Sequence, residues 1–209
     1  MNELIVAFMR RPETRATRVA DGVRLLVAAS VVVAALGWGW IQFAVFMLAL
    51  LAALAPRALA LPGVLDIATG VAALLAAWSN VLDLYDSVPG WDKFIHAVLG
   101  GLVALLAVIL AQRAGAAPEA GARRSGLLLV AFTATCGLAT GAIWEMLEWF
   151  GHTYIDPAVH VGYDDTIGDL AADGLGSLAA GALWFLPSRP PDARQQTRIR
   201  AGQREMPGP

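Results

Sequence analysis

With 209 residues, 57% of them hydrophobic and only 15% charged, and a mean hydropathy of +0.60, the chain is too apolar for a water-soluble domain. The net charge of −2 gives no reason to expect a nucleic-acid partner, and the single Cys136 excludes an intramolecular disulfide or a cysteine-based zinc site. The expected fold class is an all-α, polytopic membrane bundle of six transmembrane helices with both termini cytoplasmic.

Residues 1–22 are polar, arginine-rich and expected on the cytoplasmic side. They do not read as a cleaved signal peptide, because no small-x-small cleavage site follows the first apolar run and the next span begins almost at once. The transmembrane domain is expected over 23–186. Its first stretch, 23–55, would be about 50 Å long as one helix, too long for a hydrocarbon core of roughly 30 Å. Gly37-Trp38-Gly39-Trp40 therefore marks an outward turn between two short spans, since tryptophan favours the interface and glycine permits a tight turn. Pro56 to Gly63 is an inward loop. Span three runs from Val64 to Asp86, and Ser87-Val88-Pro89-Gly90 turns outward. Span four runs from Trp91 to Gln112, followed by an inward loop from Arg113 to Ser125. Span five runs from Gly126 to Phe150, and 151–165 is an outward loop. Span six runs from Thr166 to Leu186, and 187–209 is expected to be a disordered cytoplasmic tail.

With this alternation, every Lys and Arg except Lys93 falls on one side, the cytoplasmic one by the positive-inside rule. The other side holds His96, His152 and His160 together with Asp83, Asp86, Asp92, Glu145, Glu148, Asp156, Asp164, Asp165, Asp169 and Asp173. Acids at or inside a membrane boundary are costly and call for a functional or pairing reason.

The spacings gather these groups onto helix faces. Asp92 and His96 are four apart, Glu145 and Glu148 three, Glu148 and His152 four, and Asp169 and Asp173 four. Counting 1.5 Å per residue from the span ends puts His96, Glu145 and Asp173 at a common depth of roughly 9–10 Å. Helices that bring carboxylates and one imidazole to one level resemble bundle metal centres. The candidate ligands of a divalent cation are Asp83, Asp92, His96, Glu145, Glu148, Asp169 and Asp173; oxygen with one nitrogen suits Mg, Mn, Ca, Fe or Zn. Should the site be catalytic, Glu145, Asp173 and His96 are the residues expected to act.

Structural readings compete. Asp164 or Asp165 can cap span six, and Thr166-x-x-Asp169 matches a capping box, but capping does not explain Asp173, two turns in. Asp92 can cap span four, and Lys93 can snorkel to the interface. Asp83 and Asp86 can be a solvated span end, Glu148 can reach the surface, and His152, Asp156 and His160 can be solvated in their loop. Asp66 reads as a cap. Gly137-x-x-x-Gly141, Ser177-x-x-x-Gly181 and Gly100-Gly101 read as close-packing sites that draw spans four, five and six together. Trp144 and Trp149 read as interface anchors.

Three blocks, Trp91-Asp92-Lys93-Phe94-Ile95-His96 with Gly100, Trp144-Glu145-Met146-Leu147-Glu148-Trp149, and Gly162 to Leu170 with Asp173 and Gly176, resemble the YjdF-like family of predicted bacterial inner-membrane proteins over roughly residues 64–186. More distantly, the Asp-Lys-x-x-His block, the later Glu and the Asp opening the last span resemble the VanZ group, which is associated with resistance to teicoplanin-type antibiotics. The resemblance implies a multi-pass inner-membrane protein with this site facing the periplasm, and no defined activity.

Three functions stay open. One is a non-catalytic envelope accessory protein whose acids bind a cation or order the outer loops. Another is a metal-dependent enzyme acting on a lipid head group or lipid-linked intermediate, although no arginine lies outside to receive a phosphate and HExxH and GxSxG are absent. The third is a cation- or proton-coupled transporter, which lacks an acid line towards the inner side. The bilayer is the one expected partner common to all three.

Overall fold

The computed structural model describes residues 8–119 and 123–186, with Arg123 and Arg124 described for their backbone alone. The expected tail over 187–209 lies outside the described residues, as do residues 1–7 of the N-terminal segment. The described residues form helices and no strand: α1 (Arg15–Trp38), α2 (Trp40–Ala58), α3 (Gly63–Val81), a short α4 (Leu84–Ser87), α5 (Trp91–Arg113), α6 (Arg123–Tyr154) and α7 (Tyr163–Phe185).

The boundaries follow local chemistry. Helix α1 starts earlier than the apolar run, at a Thr14 capping box whose side chain accepts from the Thr17 N–H. Gly39, at φ +86°, separates α1 from α2 where the Gly/Trp element lies, a conformation that costs glycine little. Helix α3 stops at Val81, short of the expected Asp86, because Asp83 turns left-handed at φ +58°. Gly90, at φ +77°, then launches α5.

Five helices (α1, α2, α3, α5 and the Ser125–Tyr154 part of α6) are long and apolar enough to cross a membrane. Helix α7 has 23 residues, but Asp164, Asp165, Asp169 and Asp173 dilute its apolar character.

The helices form two groups of three. Helices α1, α2 and α3 pack through Val27, Val31, Ala34, Phe46, Ala49, Ala53, Ala73 and Ala77. Helices α5, α6 and α7 form the other group, in which α6 and α7 share the most extensive contact. A Cβ at Gly137 would strike Ser177, one at Gly181 would crowd Thr133, and one at Gly176 or Gly101 would meet the backbone of the facing helix. Small residues let these backbones touch. A second apolar cluster, including Leu59, Leu65, Leu105, Ile109, Leu129 and Phe185, joins the groups at one end.

At that same end, the buried Arg24 pairs with Asp66 and Asp21, and Arg57 donates to the carbonyls of Phe8 and Arg10. Asp66 is therefore not a cap. It is 3% exposed and neutralises an arginine of another helix.

Candidate metal centre

The site forms at the opposite end, where α3 and α5 are tied together. The Trp91 indole donates to Ser79 Oγ at 2.9 Å, and the Tyr85 hydroxyl donates to the Ala76 carbonyl at 2.9 Å. The first bond fixes the start of α5 and hence Asp92; the second holds α4 against α3. Burial raises the Tyr85 phenol above its ordinary range, with the Asp92 and Glu148 charges adding to the effect.

From His96 to Gly100 the α5 backbone widens into a π-helical turn. Such turns insert one residue into the helix and recur at functional sites. The turn carries the buried His96 towards α7. Its Nδ1 meets Asp173 Oδ2 at 3.2 Å, and its Nε2 lies 3.7 Å from Asp92 Oδ1. The two ring nitrogens thus face different carboxylates. When Nδ1 donates to Asp173, Nε2 presents its lone pair to the side where Asp92 lies, the arrangement in which a carboxylate orients a metal-binding histidine.

Asp173 is fixed by its surroundings. It is 2% exposed, and a Cβ added at Gly100 would strike its Oδ1 while one added at Gly141 would strike its Oδ2. Glycines of α5 and α6 therefore make room for a carboxylate of α7.

One turn nearer the mouth, Asp169 is 1% exposed. Its Oδ1 has no hydrogen-bond partner; Lys93 Nζ comes only to 4.0 Å. Asp92, His96 and Asp169 each offer one ligand atom, all within 4.8 Å of one another, so the three could hold a metal ion. A buried carboxylate oxygen without a partner is costly, and cation binding would relieve that cost.

The other expected site residues take different places. Glu145 is half-buried; its Oε2 accepts from Thr166 Oγ1 at 2.6 Å and its Oε1 is buried without a partner. Glu148 accepts from the Trp144 indole at 2.8 Å. Asp83 is exposed in its left-handed turn and is not among the three grouped ligands. The capping-box reading of Thr166 and Asp169 is corrected: Gly162 is the N-cap, and both side chains point to other helices. Around the mouth, His152 Nδ1 bonds the Val159 carbonyl at 2.6 Å, His160 lies 3.6 Å from Asp165, and Asp156 accepts the Ala158 N–H.

Sequence reasoning missed Thr166, whose hydroxyl partner is 21 residues away, and Gly168, over which the Lys93 stem lies. The glycine-rich opening of span six was the available signal for the second.

Over residues 14–189 the chain matches the model of a family described as predicted membrane protein (DUF2238). The chain belongs to this family. Its description agrees with the apolar helices and assigns no activity. No curated protein and no solved structure matches the chain.

Proposed function

We propose that this is a six-span protein of the bacterial inner membrane, with both termini cytoplasmic and a divalent-cation site facing the periplasm, serving as a non-catalytic accessory of the cell envelope. Helix α7 is the sixth span in this reading, its two deeper acids, Asp169 and Asp173, turned into the bundle and not towards lipid. Of the four acids in α7, Asp169 and Asp173 are fully buried by protein. The near-total segregation of Lys and Arg supports the orientation.

The observation that carries the cation reading is Asp169 Oδ1, buried and unpartnered, on a carboxylate that groups with Asp92 and His96. Asp173 has a separate role, holding the imidazole from behind. An imidazole with two carboxylates and water completing the shell suits Mn, Fe(II) or Zn.

A conduit is less well supported. Asp66, Asp169 and Asp173 are the buried acids among the described residues, and Asp66 is consumed by Arg24 at the far end. Thr69 and Thr133 between the ends bond to their own helices.

Mn2+ titration of the detergent-purified full chain, read by electron paramagnetic resonance, tests the proposal. About one ion per chain is expected. Asp169→Asn should abolish binding while leaving helicity and elution volume unchanged. Absence of binding by Mn2+, Fe2+ and Zn2+ in a folded wild type, or equal binding by the variant, would remove the site.

A further inference from the structure

We infer that Lys93 is a resident counter-ion of the centre, one that an incoming cation must displace and that makes the site selective for divalent over monovalent ions. The inference rests on the cation reading above and concerns how that site is regulated.

Three observations carry it. First, Lys93 Nζ stands 4.0 Å from Asp169 Oδ1, an oxygen of the carboxylate that groups with Asp92 and His96 as candidate ligands. At 4.0 Å the ammonium attracts the carboxylate without donating a hydrogen bond, since such bonds close at about 2.7–3.2 Å. The charge is partly screened and the oxygen remains unpartnered.

Second, the Lys93 side chain is 49% exposed, whereas that of Asp169 is 1% exposed. The ammonium is therefore not enclosed by protein and has room to move away from the carboxylate. Its side chain makes no hydrogen bond to another described residue, so little holds it in place.

Third, the stem lies over Gly168. A Cβ there would strike Lys93 Cε and come within 3.1 Å of Nζ, so a side chain at this position would push the flexible stem aside. The bare backbone of α7 thus leaves room for the stem beside Asp169.

Charge then decides what can bind. A divalent ion brings twice the charge of the ammonium to Asp92 and Asp169, so exchange is favourable even though both cations cannot stay close together. A sodium or potassium ion brings the same charge as Lys93 and must also shed water, so exchange gains nothing. Lys93 thus lowers affinity for every cation but excludes monovalent ones. Because Lys93 adjoins Asp92 in sequence, any shift of the first turn of α5 moves ligand and competitor together.

Mn2+ titration of wild type, Lys93→Met and Gly168→Ala in full-length protein provides the test, run once in choline chloride and once in sodium chloride at equal ionic strength. Lys93→Met should bind Mn2+ on the order of tenfold more tightly and become weakened by sodium, while wild type ignores the exchange of choline for sodium. Gly168→Ala, which pushes the stem aside, should move in the same direction. The inference is overturned if wild type binds Mn2+ and Lys93→Met binds with unchanged or weaker affinity, or if sodium affects both alike. Failure of every variant to bind removes the cation reading as well, so the two failures are distinguishable.

Discussion

Two buried ionic groups sit at opposite ends of the bundle, and they are built differently. At one end Arg24 lies between Asp66 and Asp21, a permanent cation contacting both carboxylates. At the other end Asp92, Asp169 and Asp173 surround one imidazole, and Lys93 stops short of Asp169 Oδ1. In the first group each carboxylate has a direct cationic partner within the chain, as a structural ion pair must. In the second a buried carboxylate oxygen is left without a hydrogen-bond partner, the feature on which the proposed cation site rests.

The comparison can be broken by stability measurements. Removing one partner of a matched buried pair strands the other, so Asp66→Ala should destabilise the fold by about 3–5 kcal/mol in denaturant unfolding. Asp169→Asn, made in the cation-free protein, should cost nothing and gain on the order of 1 kcal/mol, because it removes a buried carboxylate charge whose Oδ1 has no hydrogen-bond partner. Equal losses in both variants would mean that the histidine-centred group is as structural as the arginine-centred one.

A smaller effect tests the glycine walls around Asp173. Gly141→Ala should cost about 1–3 kcal/mol by overpacking and also weaken Mn2+ binding, because it dislodges the carboxylate behind His96. Unaltered binding would show that Asp173 does not orient the imidazole. The smallest effect is the control at Gly22, where an added Cβ meets nothing within 4 Å. In this helical position Gly22→Ala should stabilise by roughly 0.5–1 kcal/mol in the same unfolding assay.

Depth was partly legible in the sequence where azimuth was not. Counting residues from Gly90 and from the loop before α7 sufficed to place His96 and Asp173 at one level, and they meet at 3.2 Å. The same counting put Glu145 with them, yet Glu145 bonds Thr166, about two turns from Asp173 towards the mouth, so the depth count held for His96 and Asp173 but not for Glu145. Rise per residue is a property of one helix, whereas the direction a side chain faces depends on how neighbouring helices are rotated. The Arg24–Asp66 pair, 42 residues apart, was hidden for that reason. So was the place of Asp83, which a single left-handed residue at the end of α3 removes from the grouped ligands. The glycines of α6 and α7 were legible as packing sites, but what Gly141 accommodates, a carboxylate, was not.

The wide turn from His96 to Gly100 has a consequence for how this chain tolerates length changes. Such a turn carries one residue more than an α-helix would, so a single residue lost there is absorbed as the helix closes into regular α geometry, and the residues on its N-terminal side keep their facing. The regular part of α5, from Gly101 to Arg113, has no such slack. Losing one residue there would swing everything on the N-terminal side by about 100° around the helix axis. Asp92, Lys93 and the Trp91 anchor would keep their identities and their order while facing a different neighbour.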